Sequence, residues 1–325
     1  MTLTPSGHSG HNFILGCGTF GGIGGSQRLV GLGLDERSAF AAMDEAVDLG
    51  ATVFDTAESY ANGASESMIG RWLTERGPQI ADGVRVVTKV APADAGAFDV
   101  AFLERKFSGS LERLGRADVE GLLTHAPDDH TPIERTLEGL EAIRASGRCR
   151  YVGACNVDAT QLLTALDAAE RLGFAPYEVV QNGYSLLAPD ADGSVRAICA
   201  ERGIAYTPFS PLAGGALTGK YARGVSPPAQ SRLALRPDGV DELLTPAAFD
   251  AIERLREAAQ NRYDVACGAL ALAWLRHHPE IGAVVIGPSR QAPHLELAAQ
   301  SARVVLGDAD AAEIAGWFAS AAAGR

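Results

Sequence analysis

Short apolar runs rich in β-branched residues recur along the whole chain, each followed by a stretch whose Leu, Ala and Ile fall at three- and four-residue intervals. The runs predict buried strands and the intervals predict amphipathic helices, so their alternation predicts βα units around a parallel sheet. Eight strands are expected, over residues 13–18, 52–57, 84–90, 121–126, 151–156, 178–184, 205–210 and 283–288. Helical periodicity covers 36–49, 65–76, 100–114, 133–145, 159–172 and 194–201. A Gly-, Pro- and Arg-rich insertion follows over 212–245, then two more helical stretches over 246–260 and 265–277. The last ends in Arg276, His277, His278 and Pro279, where cations suit the negative end of a helix dipole and proline enforces a stop. Their reading is structural.

Eight strand–helix alternations without a linker or break in composition fit a closed (β/α)8 TIM barrel with extra C-terminal helices better than an open sheet. The 325 residues are then expected to form one barrel domain over 1–325, since such barrels exceed the usual domain size. Closure matters for function, because chemistry in a parallel barrel is expected where the βα loops gather, at the carboxyl ends of the strands.

Composition narrows the partners. Hydrophobic residues make up 46% and charged residues 21%, enough for a core and too little charge for disorder. The net charge of −12, without a basic run interleaved with aromatics, argues against nucleic acid. No segment reaches the roughly 18 apolar residues of a membrane span and the start carries no leader pattern, so no membrane partner and a cytoplasmic location are expected. The five cysteines, Cys17, Cys149, Cys155, Cys199 and Cys267, have no CxxC spacing and read as reduced, mostly buried thiols.

Gly16, Gly18 and Gly21 in GCGTFG match a dinucleotide fingerprint, which works only if the last glycine opens a helix. The chain continues instead through Gly22, Gly24, Gly25, Gly31 and Gly33, predicting no helix before about Glu36 and a flexible loop over the barrel mouth.

Three successive strands each deliver polar residues to one end: Asp55 with Tyr60 just beyond, Lys89, and His125. Adding hydride to a carbonyl creates an alkoxide, which needs a proton donor and groups that stabilise the developing charge. Tyr60 suits the donor, with Lys89 expected to lower its pKa from roughly 10, Asp55 to hold the lysine, and a neutral His125 to orient the carbonyl. As a Schiff-base lysine, Lys89 would instead suit a barrel aldolase.

The ordered motifs FDTAESYANGASE, TKV, LLTHAP, YVGACN, VVQNGYSLL and PFSPLAGGALTGKY, spread over 14–287, resemble the aldo-keto reductase superfamily. The resemblance implies an oxidoreductase reducing an aldehyde or ketone, a catalytic tetrad of Asp55, Tyr60, Lys89 and His125, and an extended NAD(P)H, NADPH rather than NADH, across the strand ends. It implies that Gly18, Thr19 and Asp55 lie beside the nicotinamide ribose, that Asn156 and Gln181 hold the carboxamide, and that Tyr184 stacks on the nicotinamide. Ser210, Pro211, Leu212 and Gly214 would line the pyrophosphate, and Gly287, Ser289 and Arg290 the 2′-phosphate. Ala61 stands where the family usually has glycine and Cys155 where it has serine; the usual Glu-Asn pair is missing near Leu295. The superfamily also includes cofactor-binding potassium-channel β-subunits, which leaves a regulatory role open. No metal is expected: the HAPDDH stretch, with His125, Asp128, Asp129 and His130, reads as a loop leading to a helix cap at Thr131 with Pro132 in the first turn. The substrate and the oligomeric state are not legible.

Overall fold

Along each strand the side chains alternate between two apolar environments, as a period of two requires when both faces of a sheet are buried. Ile14, Val53, Val87, Leu123, Tyr151, Cys155, Val179, Ala205, Ala283 and Val285 form one buried cluster. Their neighbours, among them Leu15, Phe54, Val86, Leu122, Val152, Val180, Tyr206 and Ile286, belong to a second, larger core. The first cluster fills the inside of a barrel; the second packs the strands against the helices. The computed structural model describes residues 13–92, 98–128, 130–189, 191–236, 243–289 and 293–322.

The strands are β1 (Phe13–Gly16), β2 (Val53–Asp55), β3 (Arg85–Val90), β4 (Val119–Thr124), β5 (Cys149–Cys155), β6 (Val179–Gln181), β7 (Ala205–Tyr206) and β8 (Val284–Ile286). They lie in the order β7-β6-β5-β4-β3-β2-β1-β8, and the pairs are parallel. β7 meets β8 through three backbone bonds, Tyr206 N–H to Glu280 O at 3.1 Å, Gly282 N–H to Tyr206 O at 3.0 Å and Val285 N–H to Pro208 O at 2.9 Å. The sheet thus closes on itself as a (β/α)8 barrel.

Helices follow the strands where the spacing predicts them, and their starts are chemically marked. Asp35 accepts from Ser38 N–H at 2.9 Å to open Glu36–Asp48, and Asp158 with Gln161 makes a capping box before Ala159–Leu172. Short helices at Pro78–Ala81 and Arg232–Leu235 were not specified by the spacing, and two further departures occur. Pro132 itself is the N-cap of Ile133–Ala145, because Thr131 turns its hydroxyl to Asp128 at 2.6 Å rather than to the helix. The chain after β8 adds two helices that periodicity did not specify, His294–Ser301 and Asp308–Ala322. Among the described residues no helix is long and apolar enough to cross a membrane, and all five cysteines are buried free thiols.

Candidate active site

The period of two that fills the barrel also builds the site. One step beyond an interior apolar residue, the same inward row continues from Val53 to Asp55, from Val87 to Lys89, from Leu123 to His125, from Val179 to Gln181 and from Val285 to Gly287. Polar groups therefore sit directly on the apolar plug, at the floor of a cavity of about 550 Å³.

Lys89 is fully buried, and its ammonium donates to Asp55 Oδ2 at 2.6 Å, to Thr56 O at 2.8 Å and to Tyr60 Oη at 3.4 Å. Burial opposes the charge on Lys89, but the Asp55 carboxylate, Tyr60 and Cys155 outweigh it and hold the ammonium above the ordinary lysine range. An amine protonated and held in this way is a poor nucleophile, which counts against the aldolase reading. Burial pushes Tyr60 up to about 12, with the opposing pull of Lys89 too weak to reverse it. The expectation of a lowered tyrosine pKa is thereby corrected: desolvation of the phenolate exceeds the attraction of an ammonium already shared with a carboxylate.

His125 packs edge-on to Tyr60, ring centroids 5.4 Å apart. Burial, reinforced by the nearby Lys89 charge, pushes its pKa down to about 3, so the ring is neutral. Ser59 Oγ lies 3.1 Å from His125 Nδ1, and Asn156 Nδ2 donates to His125 O at 2.8 Å. Asp55 receives a second donor, Gln181 Nε2 to Oδ1 at 2.9 Å.

The wall beside Tyr60 comes from the glycine-rich stretch after β1, where a Cβ on Gly18 would lie 3.5 Å from the Tyr60 ring. It makes no α-helix before Glu36, as expected, but it is knitted by Gly21 N–H to Leu34 O at 2.8 Å, Leu34 N–H to Thr19 O at 2.7 Å and Gly24 N–H to Gly18 O at 2.6 Å. Gly33 is pressed so closely that a Cβ there would stand 2.0 Å from Gly22 O and 2.2 Å from Thr19 O. Left-handed backbone also gathers at the cavity, at Asn156, Ser210 and, beside Tyr60, Ala61 with φ 48°. Non-glycine residues tolerate this only where the surroundings impose it, and such positions cluster at functional sites.

A sequence profile described as the aldo/keto reductase family matches residues 14–317, nearly the whole chain. The chain belongs to the aldo/keto reductase family. It is 33% identical over 273 residues, 79% of this chain and 80% of the relative, to an uncharacterized oxidoreductase of Bacillus subtilis, YrpG. It is 32% identical to a probable voltage-gated potassium channel subunit beta of Oryza sativa, covering 79% and 80% of the two chains. It is 31% identical to the L-glyceraldehyde 3-phosphate reductase of Escherichia coli strain K12, covering 77% and 75%.

Most positions marked by the resemblance to aldo/keto reductases surround the cavity: Gly18, Thr19, Asp55, Tyr60, His125, Asn156, Gln181, Ser210, Pro211, Leu212, Gly214, Gly287 and Ser289. Arg290 and Asp129 lie outside the described residues. Tyr184 is misplaced. Its ring is buried against Trp274 and Tyr206 with the Arg196 guanidinium 4.5 Å above it, and its hydroxyl donates to Pro189 O at 2.8 Å. The reason is parity, since Val179, Gln181 and Gly183 share the inward row while Asn182 and Tyr184 point to the helices. Counting in twos from Ala205 reaches Phe209, which is half-buried and does line the cavity. Lys220, Arg232, Arg236 and His294 are also in the wall; Lys220 lies within PFSPLAGGALTGKY but is assigned no role by the resemblance, and the other three carry no motif. In the HAPDDH stretch Asp128 accepts from Phe98 N–H, His130 N–H and the Thr131 hydroxyl, which makes it a turn-building residue.

Proposed function

We propose that this chain is an NADPH-dependent reductase of aldehydes or ketones, working as a single barrel unit, with Tyr60 as general acid. One observation carries the reading: a buried ammonium, Lys89, holds Asp55 on one side and the Tyr60 hydroxyl on the other, beneath a cavity that a neutral His125 also faces. The cavity suits a nicotinamide dinucleotide. Thr19 Oγ1 and His294 Nε2 are buried in its wall with no hydrogen-bond partner among the described residues, as a site shaped for a polar ligand would leave them. Gly18, Thr19, Asn156, Gln181, Phe209, Ser210–Leu212 and Gly287 would hold the cofactor, and three cations, Lys220, Arg232 and Arg236, offset its phosphates.

When bound, the reduced nicotinamide supplies hydride to the carbonyl carbon. The chain's own residues handle the proton. Tyr60 keeps its hydroxyl proton at any physiological pH and gives it to the oxygen that gains charge, while Lys89 at 3.4 Å stabilises the phenolate left behind. Neutral His125 orients the carbonyl by a hydrogen bond without competing for the proton. The apolar plug below excludes water, which strengthens each of these interactions.

The plant relatives named as potassium-channel subunits favour a second reading, a cofactor-bound regulatory subunit. The intact tetrad favours turnover. Oxidation of NADPH with a carbonyl panel separates the two, and Tyr60→Phe tests the mechanism: cofactor affinity holds while kcat falls about a hundredfold or more. Near-normal turnover of that variant would overturn the assignment of the acid.

A further inference from the structure

We infer that Ser59 is a positioning residue that fixes the tautomer of His125, so that the proton sits on Nε2 and the ring is a hydrogen-bond donor into the cavity. The inference rests on the reductase reading for its purpose and on geometry for its substance. Ser59 Oγ and His125 Nδ1 are 3.1 Å apart, and either atom can be the donor. Three observations support the serine as the donor.

The first is proton bookkeeping on the serine. Among the described residues Ser59 Oγ has no other side-chain partner, so its hydroxyl proton has a protein acceptor only when Nδ1 carries a lone pair. Were Nδ1 the donor, the serine proton would have no protein partner. The second is the ring's charge. Lys89 and burial keep His125 neutral, so only one nitrogen bears hydrogen, and a donor serine on Nδ1 leaves that hydrogen on Nε2. The third is placement. Ser59 is held immediately before Tyr60 and beneath Gly25, whose Cβ position lies 3.4 Å from Ser59 Oγ. Asn156 Nδ2 on His125 O fixes the backbone on the other side at 2.8 Å. Ser59, from the loop after β2, thus holds one edge of the ring while Asn156, just after β5, holds its backbone, and the serine decides what the other edge offers the cavity.

The consequence is chemical. A carbonyl oxygen accepts hydrogen bonds and does not donate them, so an Nε2 lone pair facing it would repel the substrate and its developing charge. An Nε2–H orients the oxygen beside Tyr60 and strengthens its contact as charge builds.

The test is nitrogen NMR of the full chain labelled with ¹⁵N-histidine near neutral pH, with the His125 signals among the seven histidines identified by their loss in His125→Asn. The expected wild-type pattern is an unprotonated Nδ1 and a protonated Nε2. Ser59→Ala should move both signals towards the averaged values of exchanging tautomers and lower kcat by about fivefold, the worth of one neutral hydrogen bond, with NADPH affinity unchanged. Ser59→Thr, which keeps the hydroxyl, should restore both. A wild-type ring protonated on Nδ1, or a Ser59→Ala ring that keeps the wild-type pattern, would overturn the inference. Because the tautomer is read on the resting protein, failure of Tyr60 as the acid would leave this result standing, and the converse holds too.

Discussion

Gln181 Nε2 donates to Asp55 Oδ1 at 2.9 Å while Lys89 occupies Oδ2 at 2.6 Å, so both oxygens of a buried carboxylate are claimed by strands on different sides of the barrel. Asp55 is thereby more than the partner of Lys89, since it ties β2 to β3 and β6 across the barrel interior.

The first prediction follows from this tie. Asp55→Asn leaves the Lys89 ammonium buried without its counter-charge, which should cost about 3 to 5 kcal/mol of stability in urea unfolding. Adding Lys89→Met removes the stranded charge and should recover most of the loss. Two simply additive losses would show that the pair is not coupled.

A second prediction concerns pH. His125 is pushed down to about 3 in the fold, against about 6.5 when unfolded, so below 6.5 the unfolded chain binds the extra proton first. Stability from this group is present above pH 6.5 and is lost as pH falls towards 3. Tyr60, pushed up to about 12, acts with the opposite sign, its contribution present below pH 10 and lost as pH rises towards 12. Thermal unfolding of His125→Asn beside the wild type between pH 7 and pH 4 should show a shallower acid slope in the variant. Parallel slopes would mean that the ring takes up its proton at the same pH in the fold as in the unfolded chain.

Third, Phe209, which lines the cavity, rather than the buried Tyr184, is expected to contact the cofactor. Phe209→Ala should weaken cofactor binding by about two- to tenfold, the range of an aromatic contact. Tyr184→Phe should leave cofactor affinity alone and cost about 1 to 2 kcal/mol through the orphaned Pro189 carbonyl. Fluorescence titration of both variants checks the first half and denaturant melts the second.

Fourth, Arg290→Met should weaken NADPH by about ten- to a hundredfold and leave NADH unchanged, since only the former carries a 2′-phosphate for a charge-assisted bond. Equal effects on the two cofactors would place the phosphate elsewhere.

The barrel was legible because both sequence periods survive in it, and the gathering of Asp55, Lys89 and His125 at one end because each follows an interior valine or leucine by two residues. The Tyr184 error came from reading a motif without counting that parity past the end of β6, where Gly183 hides the inward position. Ser59 beside His125 had no sequence signal, since their approach depends on how two separate loops fold over the strand ends. The raised Tyr60 pKa was equally hidden: residue types reveal a nearby ammonium but not the depth at which the phenol is buried.

The close packing of Gly33 bears on how this pocket can be re-engineered. A side chain at that position meets two main-chain carbonyls that cannot swing away, so randomising Gly33 should yield misfolded loops rather than new specificities. Two residues earlier, Gly31 faces open space, and Val30 and Leu32 beside it are 41% and 50% exposed. A library that varies Val30 and Leu32 while holding Gly33 fixed would remodel the exposed edge of this loop, where Leu32 lines the cavity, on an unchanged backbone.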